Sequence, residues 1–327
     1  MLGPAFGEFF DSNDQIEWEI MPEQPDGIAQ PATLNSYDGV VILQMAFPAE
    51  SFVGVERLAC IARWGVGFDK IDTAAATAAD VLVALTPTAI KRAVAEAEIA
   101  LIFALAKQLP ALDKRTRAGL WRTDLPIVGI DVAGKTVSSI GLGNIATEMF
   151  KMARGIGFGR LLAYDPYCPP ARAAELGVEL VDLETVMAEG DFVTVNTFLS
   201  DETEGIVNAR LLSLMKPTAY FVNTARGPIV DEPALIEVLA ERRIAGAGID
   251  VFAEEPPPAD HPYFAMDNVI LAPHAVAWTQ EGLAGNGREA CENLVRVSRG
   301  EVPPYLANPE VADRPGLGKK LSRWRNS

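Results

Sequence analysis

Short apolar runs recur along the first hundred residues and predict a small α/β unit. The runs 40–43 and 81–85 are apolar throughout, which is typical of strands that are buried on both faces. The segments 49–58 and 73–79 lie between them and have helix-like compositions. This alternation of strand and helix patterns predicts an open parallel sheet with helices against it.

Two long helical patterns bracket the middle of the chain. Apolar residues recur at helical spacing from Ile90 to Leu105, and the pattern stops at Leu109-Pro110. A second helix is predicted over 288–298, before Gly300. Helices in these two places are typical of a chain that leaves one domain and later returns to it.

Six apolar segments alternate with helical patterns between those two helices. Several of the six are apolar on both faces, as a parallel sheet covered by helices requires. We therefore expect a doubly wound domain at 99–286, and a discontinuous second domain made from 1–98 and 287–327. The six predicted strands are 136–140, 161–164, 192–197, 220–224, 246–251 and 269–271.

Composition and charge narrow the classes of function. The 327 residues are enough for two domains, each with its own core. A formal net charge of −16 argues against partners such as nucleic acid or an anionic membrane. The apolar run 99–106 is too short to cross a bilayer, and no basic residue precedes Arg57, which argues against a secretory or transit signal. A cytoplasmic protein is the expectation.

The cysteines do not indicate a metal site or a disulfide framework. Cys60, Cys168 and Cys291 are odd in number and lack the spacing of metal ligands. We interpret them as reduced thiols and expect no bound metal.

A glycine-rich turn predicts a dinucleotide site. Gly141-Leu142-Gly143-Asn144-Ile145-Ala146 follows a predicted strand and opens a predicted helix. The first glycine permits a tight turn, and the second lets backbone amides approach a pyrophosphate at the helix amino end. The domain at 99–286 is accordingly expected to be of the Rossmann type. Asp165 follows the next strand, 19 residues after Ala146, where a carboxylate binds a ribose 2′-hydroxyl and disfavours a 2′-phosphate, so NAD is the predicted cofactor.

Three polar side chains follow later strands of the same predicted sheet. Arg226, Asp250 and His274 each lie at or just past the carboxyl end of a strand, where ligands bind in open α/β sheets. Arg226 could hold a carboxylate and polarise the adjacent carbonyl, while a protonated His274 could donate a proton to that oxygen. Glu255 could orient the imidazole. Each residue alone has an ordinary structural explanation, but their joint occurrence in this order favours a catalytic site.

These motifs resemble the D-isomer-specific 2-hydroxyacid dehydrogenase family. The similarity is carried by GLGNIA, AYDPY, NTARGPIVDEPAL, AGAGIDVFAEEPP and NVILAPHAVAW between 134 and 281. The resemblance implies a Rossmann-type domain inserted in a smaller, flavodoxin-like substrate domain. It also implies a homodimer that uses NAD to reduce a small anionic 2-oxo acid to a D-2-hydroxy acid, or to catalyse the reverse reaction.

The resemblance also assigns roles to residues. It implies Arg226 as the substrate anchor, Glu255 as the group that orients the imidazole, and His274 as the acid/base. The backbone of Val66 and Gly67 in the first domain would help to hold the substrate carboxylate. The cofactor would be held by Gly141, Gly143, Asn144, Ile145, Asp165, Thr197, Thr224, Ala225 and Asp250. His261 matches a structural turn.

Several positions depart from the family pattern and leave the substrate open. Members often have a histidine and a proline where this chain has Asn196 and Phe198, and Trp64 is bulky for a substrate loop. Ala277-Trp278 resembles the hydroxypyruvate and glyoxylate reductase branch, whereas cations at Lys91 and Arg92 would suit a phosphoglycerate-like acid. Two alternatives also remain: a phosphite or formate dehydrogenase on the same fold, although Glu255 argues against the formate branch, and an NAD-sensing corepressor.

Overall fold

The computed structural model describes residues 9–11, 16–125 and 128–325, which divide into two compact units. The inserted unit comprises 91–278, and the end unit comprises the described residues of 1–90 together with those of 279–327. The predicted divisions at 99 and 287 each lie eight residues after these contact divisions. The contact division at 91 falls inside the helix Pro87–Ala106, and the one at 279 falls immediately before the helix Gln280–Ser298.

All ten strands of the described residues pair in parallel. In chain order they are β1 Gly39–Ile42, β2 Cys60–Arg63, β3 Leu82–Ala84, β4 Val137–Ile140, β5 Leu161–Tyr164, β6 Glu179–Leu180, β7 Phe192–Val195, β8 Tyr220–Asn223, β9 Gly246–Ile249 and β10 Val269–Leu271. The α-helices assigned there are α1 Pro31–Leu34, α2 Thr73–Ala78, α3 Pro87–Ala106, α4 Leu109–Arg117, α5 Asn144–Ile156, α6 Pro170–Leu176, α7 Leu183–Glu189, α8 Ala209–Leu212, α9 Glu232–Ala240, α10 Gln280–Ser298 and α11 Pro315–Arg325.

The end unit contains a three-stranded sheet in the order β1-β2-β3. Successive residues of β2 face opposite sides: Ile61 packs in one apolar cluster with Phe47, while Cys60 packs in another with Leu321 of α11. Both faces of the sheet are therefore covered, which explains why its strands are almost entirely apolar, with Arg63 at the carboxyl end of β2 as the charged exception.

One helix prediction in the end unit was wrong, and another was confirmed as a helix that begins earlier than predicted. The predicted helix 49–58 is only a 3₁₀ turn, Ala49–Phe52, which Gly54 ends with a positive φ of 70°. Helix α10 begins at Gln280 rather than at 288, with the Thr279 hydroxyl accepting a hydrogen bond from the Gly282 amide. A side chain at Gly285 would collide with Ala89, so this glycine permits close helix packing and does not break the helix.

The inserted unit contains a seven-stranded sheet in the order β10-β9-β8-β7-β4-β5-β6. The chain runs outward from β4 through β5 to β6, then crosses back to β7 and runs outward the other way. The order thus reverses between β4 and β7, and the carboxyl ends of these strands form a ligand crevice in such sheets. All six predicted strands are confirmed, while the two-residue strand β6 was missed.

Apolar clusters cover both faces of the large sheet. One includes Phe221 and Leu235 of α9, and the other includes Phe150 of α5 and Phe192. The predicted long helix α3 ends at Ala106, earlier than expected, and Pro110 lies in the first turn of the separate helix α4. No helix among the described residues combines the length and apolarity needed to span a membrane.

Candidate active site

The glycine-rich turn between β4 and α5 depends on a close backbone approach. Gly141 has a φ of 100°, and a Cβ there would lie 2.7 Å from the carbonyl oxygen of Asn196. Only glycine fits both the left-handed conformation and the contact. The loop is therefore held against the segment that follows β7.

The second glycine opens a space at the amino end of α5. A Cβ at Gly143 would meet no atom within 4 Å, and Gly143 is the N-cap residue without a capping side chain. Asn144 and Ile145 begin the helix, and the first amides of a helix have no intrahelical acceptor. This arrangement fits the pyrophosphate of a dinucleotide, which would fill the space that a side chain would take.

Asp165 follows β5 and holds the same turn. One carboxylate oxygen accepts a hydrogen bond from the Leu142 amide at 2.8 Å, and the other accepts from the Tyr167 amide at 2.9 Å. Each oxygen keeps a second lone pair. A ribose hydroxyl donating to this carboxylate is therefore compatible with the observed contacts.

The loop that carries Arg226 is braced by Asn223, which the sequence reading did not single out. The Asn223 side chain accepts a hydrogen bond from the Ala225 amide and donates one to the Arg226 carbonyl, both at 3.0 Å. A Cβ at Gly227 would lie 2.0 Å from the backbone of Phe252. Glycine therefore lets the Arg226 loop lie directly against the segment that leads to Glu255. The Asn-x-x-Arg-Gly spacing is the signal that could have indicated this.

Glu255 and His274 form a hydrogen-bonded pair. The distance between His274 Nδ1 and Glu255 Oε2 is 2.8 Å, and Glu255 Oε1 accepts from the Phe252 amide at 3.1 Å. Burial raises the pKa of Glu255, but the hydrogen bond and charge of His274, the Phe252 amide and the charge of Arg226 outweigh it and hold the pKa below its usual range. The carboxylate is thus ionised at neutral pH.

Asp250 fixes the backbone around His274. His274 has a φ of 53°, and its amide donates to the Asp250 carbonyl at 2.8 Å. The buried Asp250 carboxylate accepts from the Ala275 amide at 3.0 Å. Burial raises the pKa of Asp250, while that hydrogen bond and the charge of His274 lower it in part. Asp250 therefore acts on the imidazole loop through main-chain contacts.

Glu98, which was not predicted from the sequence, forms hydrogen bonds with residues just past the ends of β7 and β8. Thr224 Oγ1 donates to Glu98 Oε1 at 3.0 Å, and Asn196 Nδ2 donates to Glu98 Oε2 at 3.3 Å. Thr197 follows Asn196 and is half-buried. Glu98 lies between Ala95 and Ile102 on the apolar face of α3, and a lone acidic residue on that face was the signal for it.

The second histidine belongs to a structural turn. His261 is 7% exposed, contacts Glu232 through Nε2 at 3.2 Å, and accepts from the Tyr263 amide through Nδ1. Its ring packs edge to face on Phe252 at 5.5 Å. These contacts are those of a residue that caps the turn Pro262–Ala265.

The predicted substrate loop lies in the end unit, after β2. Arg63 Nε donates to the Gly67 carbonyl at 2.8 Å, and the Gly65 amide donates to Thr86 Oγ1 at 2.7 Å. The loop that contains Val66 is thus braced at two points. The part of Val66 and Gly67 in the site stays a prediction.

The inserted unit matches a family model over most of its length. Residues 99–276 match the model described as D-isomer specific 2-hydroxyacid dehydrogenase, NAD binding domain. The chain belongs to this family. The model also shows that the inserted unit is an NAD-binding domain, and the family assignment made from the sequence motifs is confirmed.

Named relatives share much of the sequence. The chain is 38% identical to a glyoxylate reductase of Korarchaeum cryptofilum over 275 residues, which cover 83% of this chain and 82% of that protein. It is also 38% identical to a D-3-phosphoglycerate dehydrogenase of Mycobacterium tuberculosis over 316 residues, which cover 94% of this chain and 59% of that protein. The second relative is therefore considerably longer than this chain.

Solved structures of the same fold cover nearly the whole chain. A glyoxylate reductase from Paecilomyes thermophila has a TM-score of 0.83 and 26% identity, covering 95% of this chain and 96% of that one. A D-lactate dehydrogenase from Escherichia coli has a TM-score of 0.73 and 30% identity, covering 86% and 90%. These likenesses confirm the predicted α/β class with a Rossmann-type domain.

Proposed function

We propose that the protein is an NAD-dependent oxidoreductase that interconverts a 2-oxo acid and a D-2-hydroxy acid. The observation that carries the proposal is the hydrogen-bonded Glu255–His274 pair. The charge of Arg226 helps to lower the pKa of its carboxylate. These groups follow β8, β9 and β10 at the carboxyl edge of the NAD-binding sheet. An anion-binding fork, an imidazole acid and a hydride cofactor are together what reduction of a 2-oxo acid requires.

The residues at that edge of the sheet would each hold a different part of the bound NAD. Gly143 and the first amides of α5, Asn144 and Ile145, would hold the pyrophosphate, while Gly141 keeps the turn tight. Asp165 would accept a hydrogen bond from a ribose hydroxyl. The nicotinamide end would lie by Thr197, Thr224, Ala225 and Asp250. The bound cofactor supplies the hydride.

The chain's own residues bind the acid and move the proton. The guanidinium of Arg226 binds the substrate carboxylate and polarises its neighbouring carbonyl. The Nδ1 atom of His274 faces Glu255, so Nε2 is the atom that donates a proton to the carbonyl oxygen during reduction. Glu255 keeps the ring in this orientation and stabilises its charged form. In the reverse reaction the same nitrogen accepts the proton.

The substrate proposed is a small 2-oxo acid of the glyoxylate or hydroxypyruvate kind. The relatives named glyoxylate reductase and the Ala277-Trp278 pair support it. Arg92 forms an ion pair with Glu96 at 2.5 Å, so part of its charge is already compensated. A phosphoglycerate-like acid, which would use Lys91 and Arg92, is the less favoured member of the same class. Val66 and Gly67 are proposed to contact the carboxylate.

A panel of 2-oxo acids tests the proposal. NADH absorbance would be followed with glyoxylate, hydroxypyruvate, phosphohydroxypyruvate and pyruvate, and NADPH would be run in parallel. We expect NADH-dependent reduction of glyoxylate or hydroxypyruvate, with the D-enantiomer formed wherever the product is chiral. NADH binding without turnover of any acid would instead favour a sensor protein, and oxidation of formate or phosphite would favour that branch of the fold.

A homodimer and a cytoplasmic location complete the proposal. Large apolar side chains are exposed in the segment 109–125, which we call the arm, and include Leu109, Leu120, Trp121 and Leu125. Exposed apolar side chains close together mark contact surfaces. The arm is therefore the proposed contact between two copies of the chain.

A further inference from the structure

Glu98 is a buried acid at the centre of α3. Its relative exposure is 0%, and it shares the buried face of the helix with Ala95 and Ile102. Glutamate is almost never fully buried unless it is paired, because burial removes its hydration. An apolar residue would suit this face of the helix better, so the acid calls for an explanation.

The Glu98 carboxyl bridges two neighbouring strand ends. Oε1 accepts from the Thr224 hydroxyl at 3.0 Å, just past β8, and Oε2 accepts from the Asn196 amide at 3.3 Å, just past β7. Both strand ends border the crevice next to the reversal of strand order. One side chain from the helix therefore fixes the spacing of two loops that line the cofactor site.

The connection continues to the glycine-rich turn. Asn196 Nδ2 also lies 3.1 Å from Ser139 Oγ, and that hydroxyl donates to the Gly141 carbonyl at 2.7 Å. The Asn196 backbone is in addition the group against which Gly141 packs. A continuous set of polar contacts thus links Glu98 to the turn that would hold the pyrophosphate and to the loop that carries Arg226.

The carboxyl has uncharged partners. The two side chains that bond it, Thr224 and Asn196, are neutral, and burial raises the pKa of Glu98 to about 8 although both hydrogen bonds lower it in part. The group is therefore mainly a neutral acid at pH 7. A neutral side chain of the same shape that can form hydrogen bonds should therefore hold the two loops equally well.

We propose that Glu98 is a positioning residue that holds the Asn196 and Thr224 segments in register for the nicotinamide end of the cofactor and for Arg226. The proposal rests on the proposed function for its effect on turnover, but not for its effect on NADH binding. Residues of this kind act through geometry, because small displacements of the reacting groups slow a reaction strongly.

Two substitutions separate hydrogen bonding from simple occupancy. E98L fills the space but removes both acceptors, whereas E98Q keeps the shape and can still bond both partners. E96Q is the matched control, since Glu96 is exposed on the same helix and pairs with Arg92. NADH Kd would be measured by fluorescence without any 2-oxo acid, and kcat and KM would be measured separately on the best acid.

The expected results differ for each variant. E98L should raise the NADH Kd about tenfold and lower kcat about tenfold or more, since both loops lose their spacing. E98Q should stay within about threefold of wild type, because its carbonyl oxygen can accept from the Asn196 amide while its NH2 group donates to the Thr224 hydroxyl. E96Q should behave as wild type. Wild-type values of both constants in E98L, or a defect in E98Q as large as that in E98L, would overturn the proposal.

A second variant covers the case in which E98L does not fold. S139A removes only the hydroxyl between Asn196 and the Gly141 carbonyl, and should raise the NADH Kd severalfold while the protein stays folded with a moderately lowered Tm. An unchanged Kd in S139A would then overturn the proposal. If the wild-type protein reduces no acid in the panel, the proposed function is wrong. The NADH Kd values of the variants would still show whether Glu98 positions the cofactor site.

Discussion

At the scale of single residues, Glu255 combines opposing demands. It is partly buried, which disfavours its charge, yet the proposed mechanism requires it to be ionised. The hydrogen bond to His274, the Phe252 amide and the charge of Arg226 together keep its pKa below the usual range. The ionisation of this carboxylate therefore depends on His274, on the Phe252 amide and, least, on the charge of Arg226.

Replacing Glu255 tests this dependence through the pH profile. In E255Q the imidazole loses the carboxylate that faces Nδ1. Because reduction needs a proton from this ring and an anionic partner favours the charged ring, the pH above which kcat/KM for the 2-oxo acid falls should move downward. E254Q, a change at the exposed neighbouring position, is the control. If the alkaline side of the kcat/KM profile does not move in E255Q, Glu255 has no role in the proton transfer.

Replacing Arg226 separates substrate binding from cofactor binding. R226A loses the fork that binds the carboxylate and polarises the carbonyl, so kcat/KM should fall about a hundredfold or more. NADH Kd should change little, because the guanidinium is not assigned to the dinucleotide. R243A removes an exposed arginine of the inserted unit that pairs with Glu237, and should leave both values unchanged. Near-normal kcat/KM in R226A would contradict its role.

Glu98 predicts a pH-dependent stability difference. Its folded-state pKa is raised from 4.5 to about 8, so between these values the folded protein keeps a proton that the unfolded chain releases. This contribution to folding stability is complete below about pH 4.5 and is lost as the pH rises towards 8. E98Q should therefore exceed wild type in free energy of unfolding by on the order of 2–4 kcal/mol at pH 8.5, and by much less at pH 5. Equal differences in Tm at both pH values would refute this.

At the scale of elements, the sequence identified the strands that position the site and the turn between β4 and α5. Those strands are short and bounded by polar residues, and several are apolar on both faces, so pattern and structure agree. Long-range contacts were harder to predict. The sequence does not show that Gly285 packs against Ala89. It also does not show that Glu98 bridges two strand ends, because those ends lie far from it along the chain.

The two glycines of the turn should respond differently to alanine. At Gly143 the added methyl meets no atom, so G143A should keep its Tm but raise the NADH Kd about tenfold or more, because the methyl occupies the space for the pyrophosphate. At Gly141 the methyl meets the Asn196 backbone and the φ is positive, so G141A should lose about 2 kcal/mol or more of stability. Thermal unfolding and NADH titration distinguish the two. A lowered Tm in G143A with normal NADH binding would contradict the assignment of the turn.

At the scale of the whole molecule, the arm differs from the rest of the chain. The net charge of the protein is −16, whereas 109–125 contains four basic and two acidic residues. A basic, apolar arm on an acidic protein is electrostatically suited to a second copy of the same chain. Trp121 is 67% exposed and is the largest side chain that such a contact would bury.

Replacing Trp121 tests the proposed dimer. W121E removes the indole and places a carboxylate in an interface that would have to desolvate it, so the dimer should dissociate at micromolar concentration. Light scattering after gel filtration should give twice 35.1 kDa for wild type and 35.1 kDa for W121E. V53E, at an apolar position that is 71% exposed outside the arm, should leave the mass unchanged. A dimeric W121E would show that the contact between the two copies does not depend on the indole of the arm, and a monomeric wild type would show that the arm holds no second copy.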